Sequence, residues 1–165
     1  IGKKEIKRYT KENRRKHMIR KFKEEDLKKV MTIWTKGNFK AHDFIDKDYW
    51  LLNFNRVKTE YLIKSETYVY TENDEIKGFI SILEDGYIGA LFVRLDSQRQ
   101  GIGRKLINYC KERHDKMTLK VYEKNINATL FYVAMGFINT KIQLDQQTGE
   151  KEYVMEWKKE TRFSK

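Results

Sequence analysis

Two hydrophobic periods alternate along this chain, and their order predicts its elements. The run MIRKF at 18–22 switches between apolar and polar positions, as a strand does. Leu27, Val30, Met31 and Trp34 then recur at the i, i+3, i+4, i+7 spacing of one helical face, behind Glu24, Glu25 and Asp26, whose charge suits a helix start. Gly37 is read as the end of that helix. After the loop 38–45, Asp46 and Asp48 open a second amphipathic segment with Trp50, Phe54, Val57 and Tyr61 on one stripe.

Residues 66–72 and 75–83 are strand-like and meet across Asn73-Asp74, a hairpin signal. In 87-YIGALFV-93, Ile88, Ala90 and Phe92 are assigned to one face and Tyr87, Leu91 and Val93 to the other, which makes this a central strand. Ile102, Leu106, Ile107 and Cys110 form a helix stripe to about residue 115, and MTLKVY at 117–122 alternates again. A short helix at 127–135 ends at Gly136, a residue suited to a left-handed cap. Residues 137–144 and 152–157 close the chain as a hairpin through 145-DQQTG-149. The order β-α-α-β-β-β-α-β-α-β-β predicts an α/β (α+β) domain, a mixed central sheet with helices on its faces.

Composition narrows the class. A chain of 165 residues fits one domain, and 39% hydrophobic with 13% aromatic residues supply a core. One cysteine excludes an internal disulfide and a cysteine-cluster metal site, so no metal is expected and a reducing, cytoplasmic setting is the default. No apolar run approaches the roughly 18 residues that span a bilayer, so no membrane partner is expected. The net charge of +11 raises the question of nucleic acid, but residues 1–16 carry eight Lys or Arg against two Glu, and over half of the excess lies there. Residues 1–17 are therefore set apart as a basic extension, with Met18 as the natural initiator and 18–165 as the domain.

The chemistry concentrates at 97-SQRQGIGRKL-106. A glycine turn between a buried strand and a helix presents backbone N–H groups at a helix N-terminus, where an anion is favoured. A Walker loop is absent, and the Rossmann fingerprint fails because Leu106 replaces its third glycine. Gln98, Arg99, Gln100, Arg104 and Lys105 add donors suited to a pyrophosphate.

The segment 98-QRQGIG-103 resembles the R/Q-x-x-G-x-G/A motif of the GNAT superfamily of N-acetyltransferases. Asn125, Ala128, Phe131, Tyr132, Gly136 and Phe137 fit the superfamily's N-x-x-A-x-x-F-Y-x-x-x-G-F segment, and the resemblance spans about residues 18–158. Two departures stand out: Leu95 lies near a frequent proline, and Arg99 occupies a position where glycine is frequent.

The resemblance implies acetyl-CoA as cofactor. Its pyrophosphate is expected on the backbone of Gln98, Arg99, Gln100, Gly101, Ile102, Gly103 and Arg104, with Lys105 adding charge. Its pantetheine arm is expected along Leu91, Phe92 and Val93, with Asn125 opposite and a backbone N–H near Val93 polarising the thioester. Tyr132 is the implied general acid, since a phenol can protonate a leaving thiolate. His42 and Glu84 are the candidates for the base. The acceptor, a peptide or small-molecule amine attacking directly, is expected near His42, Phe44 and Trp50, on a monomer or homodimer. Two other readings use the same fold: a basic nucleic-acid-binding protein acting through its arm, and a non-catalytic acyl-CoA sensor.

Overall fold

The computed structural model describes residues 17–161, so the basic segment 1–16 lies outside the described residues. His17, assigned to the extension, opens strand β1 (His17–Lys21) and pairs with Glu72. Arg20 then holds Asp26 through two hydrogen bonds of 2.7 and 3.0 Å, which fixes the entry into helix α1 (Leu27–Ala41). Helix α2 (Lys47–Arg56) starts at Asp46, whose side chain accepts from the Asp48 N–H, and runs on through a π-helical segment (Val57–Tyr61) and a last turn (Leu62–Lys64).

Strands β2 (Glu66–Glu72), β3 (Glu75–Leu83) and β4 (Tyr87–Val93) follow, then helix α3 (Ile102–Lys111), strand β5 (Lys116–Tyr122), helix α4 (Ile126–Ala134) and strands β6 (Ile138–Leu144) and β7 (Lys151–Lys158). The seven strands lie in the order β1-β2-β3-β4-β5-β7-β6. Every neighbour is antiparallel except β4 and β5. One apolar core, with Ile80, Leu106, Ile107 and Met117, lies under α3 and α4; the other, with Val30, Trp34, Val69 and Phe79, lies under α1 and α2.

Three expectations change. Helix α1 does not stop at Gly37 but runs four residues further, because the glycine is a point of close approach: a Cβ there would overlap the Phe92 ring. Helix α3 ends at Lys111 and not near 115. In β4 the pairing register slips between Ser81 and Ile82, which face Ala90 and Ile88 and leave Gly89 as an extra residue in a β-bulge. Across that bulge Ile88, Leu91 and Val93 join the α3/α4 core, while Ala90 and Phe92 join the α1/α2 core.

The bulge also sits where the sheet opens. A bulge bends its strand, and β4 pairs with β5 only at Tyr87 and Thr118. Beyond that pair the two strands splay, and the β5-facing edge of Leu91–Val93 has no strand beside it. Among the described residues no helix is long and apolar enough to cross a membrane.

Candidate active site

The splay opens a cavity of about 490 Å³. Its walls come from β4 and β5, from α1 and α2 on one side, from the start of α4 on the other, and from the β6–β7 hairpin. His42, Trp50, Leu91, Phe92, Asn125 and Tyr132, singled out in the sequence, all line it. Glu84 does not: it stands exposed with Asp85 in the turn Glu84–Gly86 before β4. Phe44 packs one layer back, edge-on against His42 and Tyr122 at 5.8 Å between ring centres in each pair.

The loop ahead of α3 has the properties of an anion cradle. Among the described residues no backbone N–H from Arg99 to Arg104 has an acceptor inside the chain, whereas Lys105 N–H closes the first helical turn on Gly101. Gly101 sits at φ 80° and Arg99 at φ 62°. Left-handed backbone suits glycine and costs another residue about 1 kcal/mol, so the departure noted at Arg99 is a strained one. The Arg99, Arg104 and Lys105 side chains are exposed around this loop. Gln98 reaches back from it to the Val93 carbonyl, 3.4 Å away. The fit to a pyrophosphate is good: unsatisfied amides at a helix N-terminus, ringed by cations, at the end of an open strand edge.

His42 caps the C-terminal end of α1 and is fixed from both sides. The Asn38 amide donates to the Trp34 carbonyl, so its oxygen faces His42 Nδ1 at 3.0 Å. The Asn125 oxygen caps α4 by accepting the Ala128 N–H, so its amino group faces His42 Nε2 at 3.2 Å. Both amides are thus oriented by the backbone, and together they select the neutral tautomer with the proton on Nδ1. Burial pushes the imidazole down to about 4, and the ring stacks on Trp50 with centres 5.1 Å apart.

Tyr132 projects from α4, which Asn125 starts and Gly136 ends at φ 90°. Its ring is buried between Phe131 and Phe137, and its hydroxyl makes no hydrogen bond within the described chain. Burial, with Tyr87 nearby, pushes the phenol above its ordinary range, so it holds its proton firmly at neutral pH.

The far end of the cavity was not legible in the sequence. There Tyr122 donates to Asp145 at 2.6 Å and Tyr49 donates to Gln147 at 3.1 Å. Burial pushes the Asp145 carboxyl up, but hydrogen bonds from Tyr122, the Gln147 N–H and Thr148 outweigh it and hold the group below the usual carboxylate range. Burial, then Glu152 and Asp145, pushes Tyr87 up to about 12. Glu152, buried at the start of β7, lines the same end. Asp145 reads in the sequence only as a turn residue, and Glu152 only as a polar position in a strand.

A model of the acetyltransferase (GNAT) domain matches residues 43–158. The chain belongs to the GNAT acetyltransferases. This acetyltransferase is 32% identical over 140 residues to the peptidyl-lysine N-acetyltransferase YiaC of Escherichia coli strain K12, covering 85% of this chain and 96% of the relative. Its fold resembles apo-form YjaB from Escherichia coli, with a TM-score of 0.76 and 24% identity over 87% of this chain and 99% of that one. It also resembles the PaiA N-acetyltransferase of Thermoplasma acidophilum solved with coenzyme A, with a TM-score of 0.71 and 17% identity over 86% and 98% of the two chains. The expected fold, N-acetyltransferase activity and acetyl-CoA cofactor therefore stand.

Proposed function

We propose that this acetyltransferase modifies the ε-amine of lysine in a peptide or protein, by direct attack of the amine on the thioester in a ternary complex. The observation that carries the reading is the cavity at the open edge of β4, one end of which is walled by tyrosines and two carboxylates, while the amide loop that suits the cofactor follows the same strand in the chain. The peptidyl-lysine activity in the names of YiaC and YjaB supports the same acceptor class.

Acetyl-CoA supplies an acyl group already activated as a thioester. The backbone amides of Arg99–Arg104 are assigned its pyrophosphate, with Arg99, Arg104 and Lys105 adding charge. The free edge of Leu91–Val93 is assigned the pantetheine arm, in the manner of an added strand. Asn125 keeps its place on the opposite wall through His42 and Ala128. The acceptor ammonium first gives one proton to water. Its nitrogen then bonds to the acyl carbon as the carbon–sulfur bond breaks, Tyr132 donates its proton to the leaving sulfur, and the second proton shed by the nitrogen returns to the phenolate. The burial that raises the phenol also raises a thiol beside it, so the two proton affinities move together and donation remains within reach. His42 is assigned a positioning role, since both ring nitrogens are already engaged. No acyl-enzyme is required: Cys110, the chain's one cysteine, lies fully buried under α3 with its thiol pushed up to about 12 by burial.

The test is acetylation of lysine-containing peptides with acetyl-CoA, read by mass spectrometry for the modified atom. Acetyl groups on lysine Nε support the reading. Turnover confined to polyamines, aminoglycosides or free amino acids overturns the acceptor class.

A further inference from the structure

We infer that Glu152, seconded by Asp145, forms the subsite that recognises the charged head of the acceptor lysine. The inference rests on the lysine reading above and assigns the residue that sets its specificity.

The chain carries a net charge of +11, yet its cavity has the opposite character. Glu152, Asp145 and Lys120 are its charged lining residues, because His42 is neutral. A cation entering this space meets two carboxylates against one ammonium.

Glu152 is only 8% exposed. A carboxylate so placed needs several hydrogen bonds or a counter-charge. Among the described residues its side chain receives one hydrogen bond, from Gln143 Nε2 to Oε1 at 2.9 Å, and no Lys or Arg forms an ion pair with it. Oε2 is left for a ligand. Asp145 differs, being tied to Tyr122 and to its own turn, so it supplies fixed charge rather than a free oxygen. Tyr49, Tyr61 and Tyr87 wall the approach and offer an apolar sleeve for a four-carbon stem.

The experiment measures steady-state acetylation of a lysine peptide at saturating acetyl-CoA, with coenzyme A affinity determined by calorimetry. Glu152→Gln keeps the acceptor for Gln143 but loses the charge. It is expected to raise the peptide KM about tenfold or more, with kcat changed less than about threefold and coenzyme A affinity within about twofold. Glu152→Asp, which keeps the charge, is expected to restore KM to within about threefold of wild type. An unchanged KM in Glu152→Gln overturns the assignment.

A second arm needs only the wild-type protein. The same peptide carrying trimethyllysine is expected to bind about tenfold more tightly than one carrying norleucine, and equal binding overturns the assignment. This arm reads the subsite even if lysine peptides are never acetylated, an outcome that would defeat the proposed acceptor class alone.

Discussion

The two ends of the cavity are built by opposite means. The end assigned to the cofactor is backbone: the free edge of Leu91–Val93 and, beyond the cavity lining, the amides of Arg99–Arg104, drawn from one stretch that runs from β4 into α3. The end proposed for the acceptor is side chains: Tyr49, Tyr122, Asp145 and Glu152, brought together from α2, β5, the hairpin turn and β7. Backbone recognition tolerates sequence change as long as the chain can follow the required path. Side-chain recognition is rewritten by single substitutions. One fold can therefore keep its cofactor while its acceptor varies.

Tyr132 stands between the two ends and gives the largest expected effect. Tyr132→Phe should lower kcat by about 10²- to 10³-fold while coenzyme A affinity stays within about twofold. Turnover at the wild-type rate in that variant would remove the general-acid assignment and leave the cavity with binding roles only.

His42 ties the ends together, and its chemistry predicts a pH effect on stability. Its folded pKa of about 4 lies below the ordinary value of 6.5. The unfolded chain therefore binds the proton more readily, so the neutral ring's contribution is complete above about pH 6.5 and is lost as pH falls toward 4. The span corresponds to roughly 3 kcal/mol. Denaturant unfolding of wild type and His42→Gln, compared at pH 7.5 and pH 4.5, should show a clearly steeper acid loss in wild type. Parallel losses would mean that the imidazole does not titrate as a buried group.

Gly101→Ala probes the backbone end alone. At φ 80° with open space around its Cβ position, alanine there meets no steric obstacle beyond its own backbone strain of about 1–2 kcal/mol. Coenzyme A affinity should fall about tenfold by calorimetry, with the peptide KM unchanged. A change in the peptide KM instead would break the division between the two ends. The smallest effect is expected at Arg99, where Arg99→Gly should be more stable than Arg99→Ala by about 1 kcal/mol in denaturant titrations, since only the former relieves the left-handed strain.

What the sequence disclosed follows the same division. The amide loop and the Tyr132 segment are contiguous, and each announces itself through glycine spacing or a capping residue. The element order was legible because strand and helix periods alternate cleanly. Gly37 misled because a glycine within a helical pattern reads as a stop, whereas its reason lies 55 residues away in the Phe92 ring. The faces of β4 misled because strict alternation cannot anticipate the extra residue at Gly89. Glu84 stood out as an acid beside the central strand, yet its turn projects it to solvent. Asp145 and Glu152 have no local signature, since their meaning depends on a pairing between β5 and β7 across some 30 residues.

That pairing has a consequence for the order in which the enzyme comes to exist. Strand β7, late in the chain, lies inside the sheet between β5 and β6. As synthesis proceeds, the amide loop and the β4 edge leave the ribosome well before Asp145 and Glu152. The two carboxylates of the proposed acceptor subsite are therefore among the last parts of the domain to be made. Completing that subsite requires the late strand to enter between β5 and β6, so on the proposed assignment selection of the amine is the last property the chain acquires.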